Sequence, residues 1–80
     1  MSESDAHAAF LKERNAMLLS LDIERAKAFY RKHNPTLLLP PDDVVEIGLH
    51  KARTLTTSLP QTERDFSRRW LHERGYSIGD

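Results

Sequence analysis

Two stretches concentrate the side chains able to do chemistry. "HKART" (50–54) sets His50, Lys51 and Arg53 close together, and "RDFSRRWLHERGY" (64–76) interleaves Arg64, Arg68, Arg69 and Arg74 with Phe66, Trp70 and Tyr76. Cations beside aromatic rings are the equipment of phosphate pairing and base stacking, or of an anion or protein contact. Other chemistries find less material. The chain has no cysteine, which removes disulfides and thiolate metal sites. His7, His33, His50 and His72 lie on separate segments, and a Glu–His pair spaced i,i+4, such as Glu46/His50, offers too few ligands for a metal. Serine, histidine and aspartate are all present, but no nucleophile elbow or glycine-rich loop arranges them. The expectation is a chain with no catalytic residues, no metal and no cofactor.

Whether those cations act together depends on the helices that carry them. Four prolines (Pro35, Pro40, Pro41, Pro60) punctuate the sequence, all three glycines lie late, and the pattern between is helical. A first helix over 5–19 gathers Phe10, Leu11, Met17 and Leu18 on one arc. Ser20-Leu21-Asp22 is a natural break, although one continuous helix from 5 to 33 is also compatible with the pattern. A second helix over 22–33 places Ile23, Ala26, Phe29 and Tyr30 together and stops at Asn34, before Pro35. In "NPTLLLPPDD" (34–43), at least two of Leu37, Leu38 and Leu39 are expected to pack beneath the helices; the alternative is an apolar edge that binds a partner. A third helix begins near Asp42-Asp43, with Asp43 as N-cap and Glu46 at capping-box spacing. Its apolar seam is Val45, Gly48, Ala52, Leu55 and Leu59, with Gly48 and Ala52 allowing close helix packing. Ser58-Leu59-Pro60-Gln61 opens a fourth helix running to about Arg74, and Gly75 stands where a Schellman ending needs it.

Projection onto these helices divides the cations. On the third, with position 44 at zero, Arg53 falls at about 180° and His50 at about 240°, with Glu46 between them at about 200°, while Lys51 lies at about 340°. His50, Arg53 and Glu46 are therefore expected on a solvated outer face. On the fourth, Phe66, Trp70 and Leu71 form the apolar side, with Trp70 as the main core aromatic. Asp65, Arg69 and Glu73 cancel one another at i,i+4 steps, whereas Arg64, Arg68 and His72 form a row without internal relief. That row is the candidate partner surface, together with Leu37 and Leu38. A nucleic-acid contact through His50, Arg53, Arg64 and Arg68 is the alternative. Against it stand a balance of 12 basic and 12 acidic residues and a would-be helix-turn-helix whose reading helix carries acids.

The sum is an all-α, four-helix bundle in a single domain over 1–80, with the third and fourth helices forming an antiparallel hairpin and residues 1–4 and 77–80 frayed. Its core is expected from Phe10, Leu18, Ile23, Phe29, Tyr30, Val45, Ala52, Leu55, Leu59, Phe66, Trp70 and Leu71. Eighty residues supply a thin core. The acidic start "MSESDAHAAF" does not read as a signal peptide and the longest apolar run, "LLLPP", is too short to span a membrane, so a cytoplasmic location is expected. The strings "AMLLSLD" (16–22), "HKART" (50–54) and "LP" followed by "ER" and "S..WL.ERGY" (59–76) resemble a family of small, uncharacterised bacterial proteins, some encoded in mobile-element or phage-like regions. The resemblance covers residues 16–76 and implies a bacterial accessory protein, with no activity or site residue to carry over. The expected role is a non-enzymatic protein–protein interaction or regulatory module that binds a protein partner or a second copy of itself.

Overall fold

A computed structural model describes residues 3–76. It contains α1 (Glu3–Ser20), α2 (Ile23–His33), α3 (Asp42–Leu55) and α4 (Gln61–Glu73). The expected fraying at 1–2 and 77–80 lies outside the described residues, whereas positions 3 and 4 already belong to α1. The sequence left the α1–α2 junction open, and the structure breaks it. Leu21 takes φ 53°, a left-handed conformation costly for a side chain with a Cβ. Asp22 then caps α2 by accepting from the backbone N–H groups of Glu24 and Arg25. Lys32 of α2 reaches back to Glu13 of α1 at 2.9 Å, and the ring of His33 packs against Phe10 and Phe29. Beside Lys32 and His33, the Glu13 carboxyl titrates below the usual carboxylate range.

Helix α3 packs principally on α4, and α2 lies against both α1 and α3. His50 and Arg53 meet successively later residues of α4 as α3 runs backwards, so the pair is an antiparallel hairpin. The helix starts differ from expectation. Pro41, not Asp43, is the N-cap of α3, and Pro60 is the N-cap of α4, neither with a side-chain cap. Asp42 instead holds Lys27 of α2 at 3.0 Å, and that carboxylate keeps the Lys27 ammonium titrating above its ordinary value. Ser58 accepts from the Asn15 amide, fastening the α3–α4 turn to α1. The end of α4 is as expected: Gly75 at φ 78°, Tyr76 N–H on the Leu71 carbonyl and Gly75 N–H on the His72 carbonyl.

The buried apolar core is Met17, Leu18, Ala26, Phe29, Val45, Leu49, Leu59 and Leu71, with Phe10, Leu21, Ile23, Tyr30 and Ala52 partly buried against it. Two expected core residues fail. Leu55 is 76 % exposed and Phe66 is half exposed; Trp70 is only partly buried. The cause is a rotation of α3. Its inward arc runs through Val45, Leu49 and Arg53, about 80° round the helix from the expected seam, so Gly48 and Leu55 face outward. Gly48 meets nothing within 4 Å of where a Cβ would stand, so close packing within the chain does not account for it.

The Asp22 cap gives a direct check. Asp22→Ala is expected to lower the unfolding free energy by about 1 kcal/mol in urea titrations, with Asp22→Asn near wild type; equal stability for all three would show that α2 does not depend on this cap.

Candidate functional site

The densest polar arrangement in the described chain centres on Arg53. The guanidinium is 0 % exposed. Its Nε donates to Ser67 Oγ at 2.6 Å, Nη1 to the Leu18 carbonyl at 2.8 Å, and Nη2 to both the Glu63 carbonyl at 3.1 Å and the Glu63 carboxylate at 2.6 Å. One side chain thus joins α1, α3 and α4. The Leu18 contact has a specific cause. Helix α1 ends at Ser20 with no basic residue in its last turn, leaving terminal carbonyls without helical partners. Arg53 supplies a donor and a positive charge where the helix dipole is negative. Ser20 Oγ satisfies the neighbouring Met17 carbonyl.

His50 extends the cluster. It is buried, its Nδ1 lies 2.9 Å from Ser67 Oγ, and its ring stacks on Trp70 at 4.0 Å and 14°. Ser67 has one hydroxyl hydrogen and already accepts from Arg53. The assignment that gives the Ser67 hydroxyl hydrogen an acceptor has it donating to Nδ1 of a neutral His50, whose proton then sits on Nε2. Burial, then the nearby charges of Arg53 and Arg74, lower the His50 pKa to about 4. Arg74 covers the other side of the stack, with its guanidinium 4.0 Å from the Trp70 ring centroid and Nη1 on the Trp70 carbonyl. Phe66 flanks both His50 and Arg53.

A serine hydroxyl bonded to a histidine nitrogen invites a nucleophilic interpretation, and three features oppose it. Ser67 is fully buried, its oxygen is occupied by Arg53, and a histidine titrating at about 4 is a weak base at neutral pH. Among the described residues, no group of three or more His, Cys, Asp or Glu could hold a metal ion.

The cations nominated from sequence are dispersed. His50 and Arg53 are buried rather than solvated, so the proposed nucleic-acid surface loses two of its four contacts; Glu46 is partly buried beside them. Arg64 folds back onto the Leu59 carbonyl and Gln61, closing the start of α4. Arg68 and His72 are exposed, which leaves the row without its first member. Asp65 accepts from Gln61, so the expected ladder with Arg69 and Glu73 gives way to a local hydrogen bond. Both faces of Trp70 are covered, which removes it as a stacking platform. Leu37 is half exposed and Leu38 is 92 % exposed, against the expectation that most of that triplet is core. Among the described residues, no helix is long and apolar enough to cross a membrane. No family model, curated protein or solved structure matches the chain.

Helical periodicity missed the Arg53 cluster because it counts a charge as an outward position. The usable signal was Leu49, whose burial turns Arg53 inward.

Two outcomes test the cluster. Arg53→Lys cannot reproduce the forked donor set and is expected to cost about 3 kcal/mol in urea unfolding, most of the margin of so small a domain. His50 has a depressed folded pKa, so the unfolded chain takes up its proton first as pH falls. Stability is therefore full above about 6.5 and declines towards about 4, by up to about 3 kcal/mol. His50→Phe should flatten that slope; an unchanged slope would assign the acid sensitivity elsewhere.

Proposed function

We propose that this chain is a non-enzymatic, cytoplasmic interaction module that binds a protein partner through the α2–α3 connector. The observation that carries the proposal is Leu38, 92 % exposed, with the half-exposed Leu37 beside it. The connector is not a slack linker. The Leu37 N–H bonds to the Asn34 carbonyl, closing a turn with Pro35 at its second position, and Pro40 steers Leu39 before it away from helical geometry. A stiff segment presenting apolar side chains binds with little ordering cost, which favours a partner with an apolar pocket. The hairpin and its buried cluster fix the α3 end of this segment, and the Lys27–Asp42 ion pair ties α2 to the start of α3. The cysteine-free composition suits a reducing compartment, and the resemblance to small bacterial proteins is in keeping with an accessory role. The nucleic-acid alternative draws no support from the burial of His50 and Arg53.

Affinity capture from host extract compares wild type with Leu38→Ser. Loss of a buried leucine should weaken the partner about 10- to 100-fold, while urea unfolding of the isolated chain stays within about 0.5 kcal/mol. Equal capture by both proteins would remove the connector from the interface.

A further inference from the structure

A cleft of about 370 Å³ opens between α1, α2 and α3. Buried Met17, Leu18 and Phe29 form its floor, and Ala52 and the mostly exposed Leu55 extend the apolar wall along α3. Three polar side chains complete the lining. The Arg14 Nε and Nη2 donate to Asn15 Oδ1, which leaves the rest of the guanidinium fork unused. The Tyr30 hydroxyl makes no hydrogen bond to the described residues, and partial burial raises its pKa, so it stays a protonated donor. The Thr56 hydroxyl already donates to the Ala52 carbonyl. The cleft therefore combines an apolar floor with two free donors, one of them charged.

We propose that this cleft binds a small monocarboxylate with an apolar body of about ten carbons, a size set by the cavity volume. Its carboxylate pairs with the Arg14 guanidinium and the Tyr30 hydroxyl, and its chain lies over Met17 and Leu18 and covers Leu55. The site shares no residue with the connector and stands apart from the partner-binding reading.

Charge and size name this ligand class. Arg14 has no carboxylate partner among the described residues, and no acid lines the cleft. Two other clefts differ on this point. The one between α1 and α2, about 190 Å³, includes Glu13, and the one along α4, about 310 Å³, includes Glu73, so an anion would meet a carboxylate in either. A single guanidinium matches a monoanion and can grip a carboxylate with two parallel hydrogen bonds; a phosphate dianion would keep one charge unmet. A cavity of about 150 Å³ is enough for benzene, so at that packing the cleft takes up to about 15 non-hydrogen atoms, and a ten-carbon acid fits within it.

Two-dimensional amide NMR of the full chain, titrated with sodium decanoate to about 5 mM, tests the site. Saturable shifts should centre on Met17, Tyr30, Ala52 and Leu55, with a Kd of about 1 mM or tighter, while the Trp70 indole signal, in the α4 cleft, stays in place. Decanol, with the same chain and no charge, should bind about 10-fold more weakly. Arg14→Gln should lose about 10-fold for decanoate and nothing for decanol, which separates a lost ion pair from a disturbed fold. Tyr30→Phe should lose about 3-fold for decanoate. A response that does not saturate, shifts centred away from the cleft, equal affinity for decanol, or an Arg14→Gln chain that binds decanoate as wild type does would each overturn the assignment.

Discussion

The Arg53 guanidinium is the contact on which this small bundle depends. Taking a cation fully out of water is expensive, and the expense is met only where nearly every donor finds an acceptor. Arg53 makes four such contacts, to a hydroxyl, two carbonyls and a carboxylate from two other helices. Lysine, with a single compact ammonium, has no comparable reach. The carboxylate partner, Glu63, is itself partly solvated, so the pair avoids the full cost of burying two opposite charges together. In a chain without cysteine, this side chain takes the place of a staple between sequence-distant elements.

The cluster also sets the orientation of α3. Turning Arg53, Leu49 and Val45 inward carries Gly48 and Leu55 outward, so the same rotation that closes the core leaves Leu55 at the surface. The layered arrangement of Arg74, Trp70 and His50 seals one flank of the cluster, and burial together with the neighbouring arginine charges keeps His50 neutral. Stability and surface chemistry are thus coupled. The hairpin is fixed by buried polar contacts, and part of the apolar material of α3 and of the connector is left at the surface.

Local rules made much of the fold legible. Helical periodicity and prolines placed the four helices, Asp22 and Gly75 marked helix ends, and the short turn around Pro60 implied the hairpin. What failed were the assignments that depend on contacts across the sequence. Arg53 bonds to groups 10, 14 and 35 positions away, and no window of the sequence reveals that geometry. Counting Arg53 and His50 as solvated moved the expected seam of α3 and brought Leu55 into the core in error. The Leu37–Leu39 segment was judged by its hydropathy, but it lies between Pro35 and Pro40 without regular secondary structure, and Leu38 stays in solvent. The candidate surfaces therefore became legible only once the buried arginine had been located.

A double-mutant cycle between Arg53→Met and Ser67→Ala, read by urea unfolding, tests the central claim most directly. If the guanidinium and the Ser67 hydroxyl act as one buried unit, the two losses are strongly non-additive, with a coupling of about 1.5 kcal/mol or more. Additive losses within about 0.3 kcal/mol would contradict the account, because Arg53 would then be stabilising the bundle without the contact that joins α3 to α4.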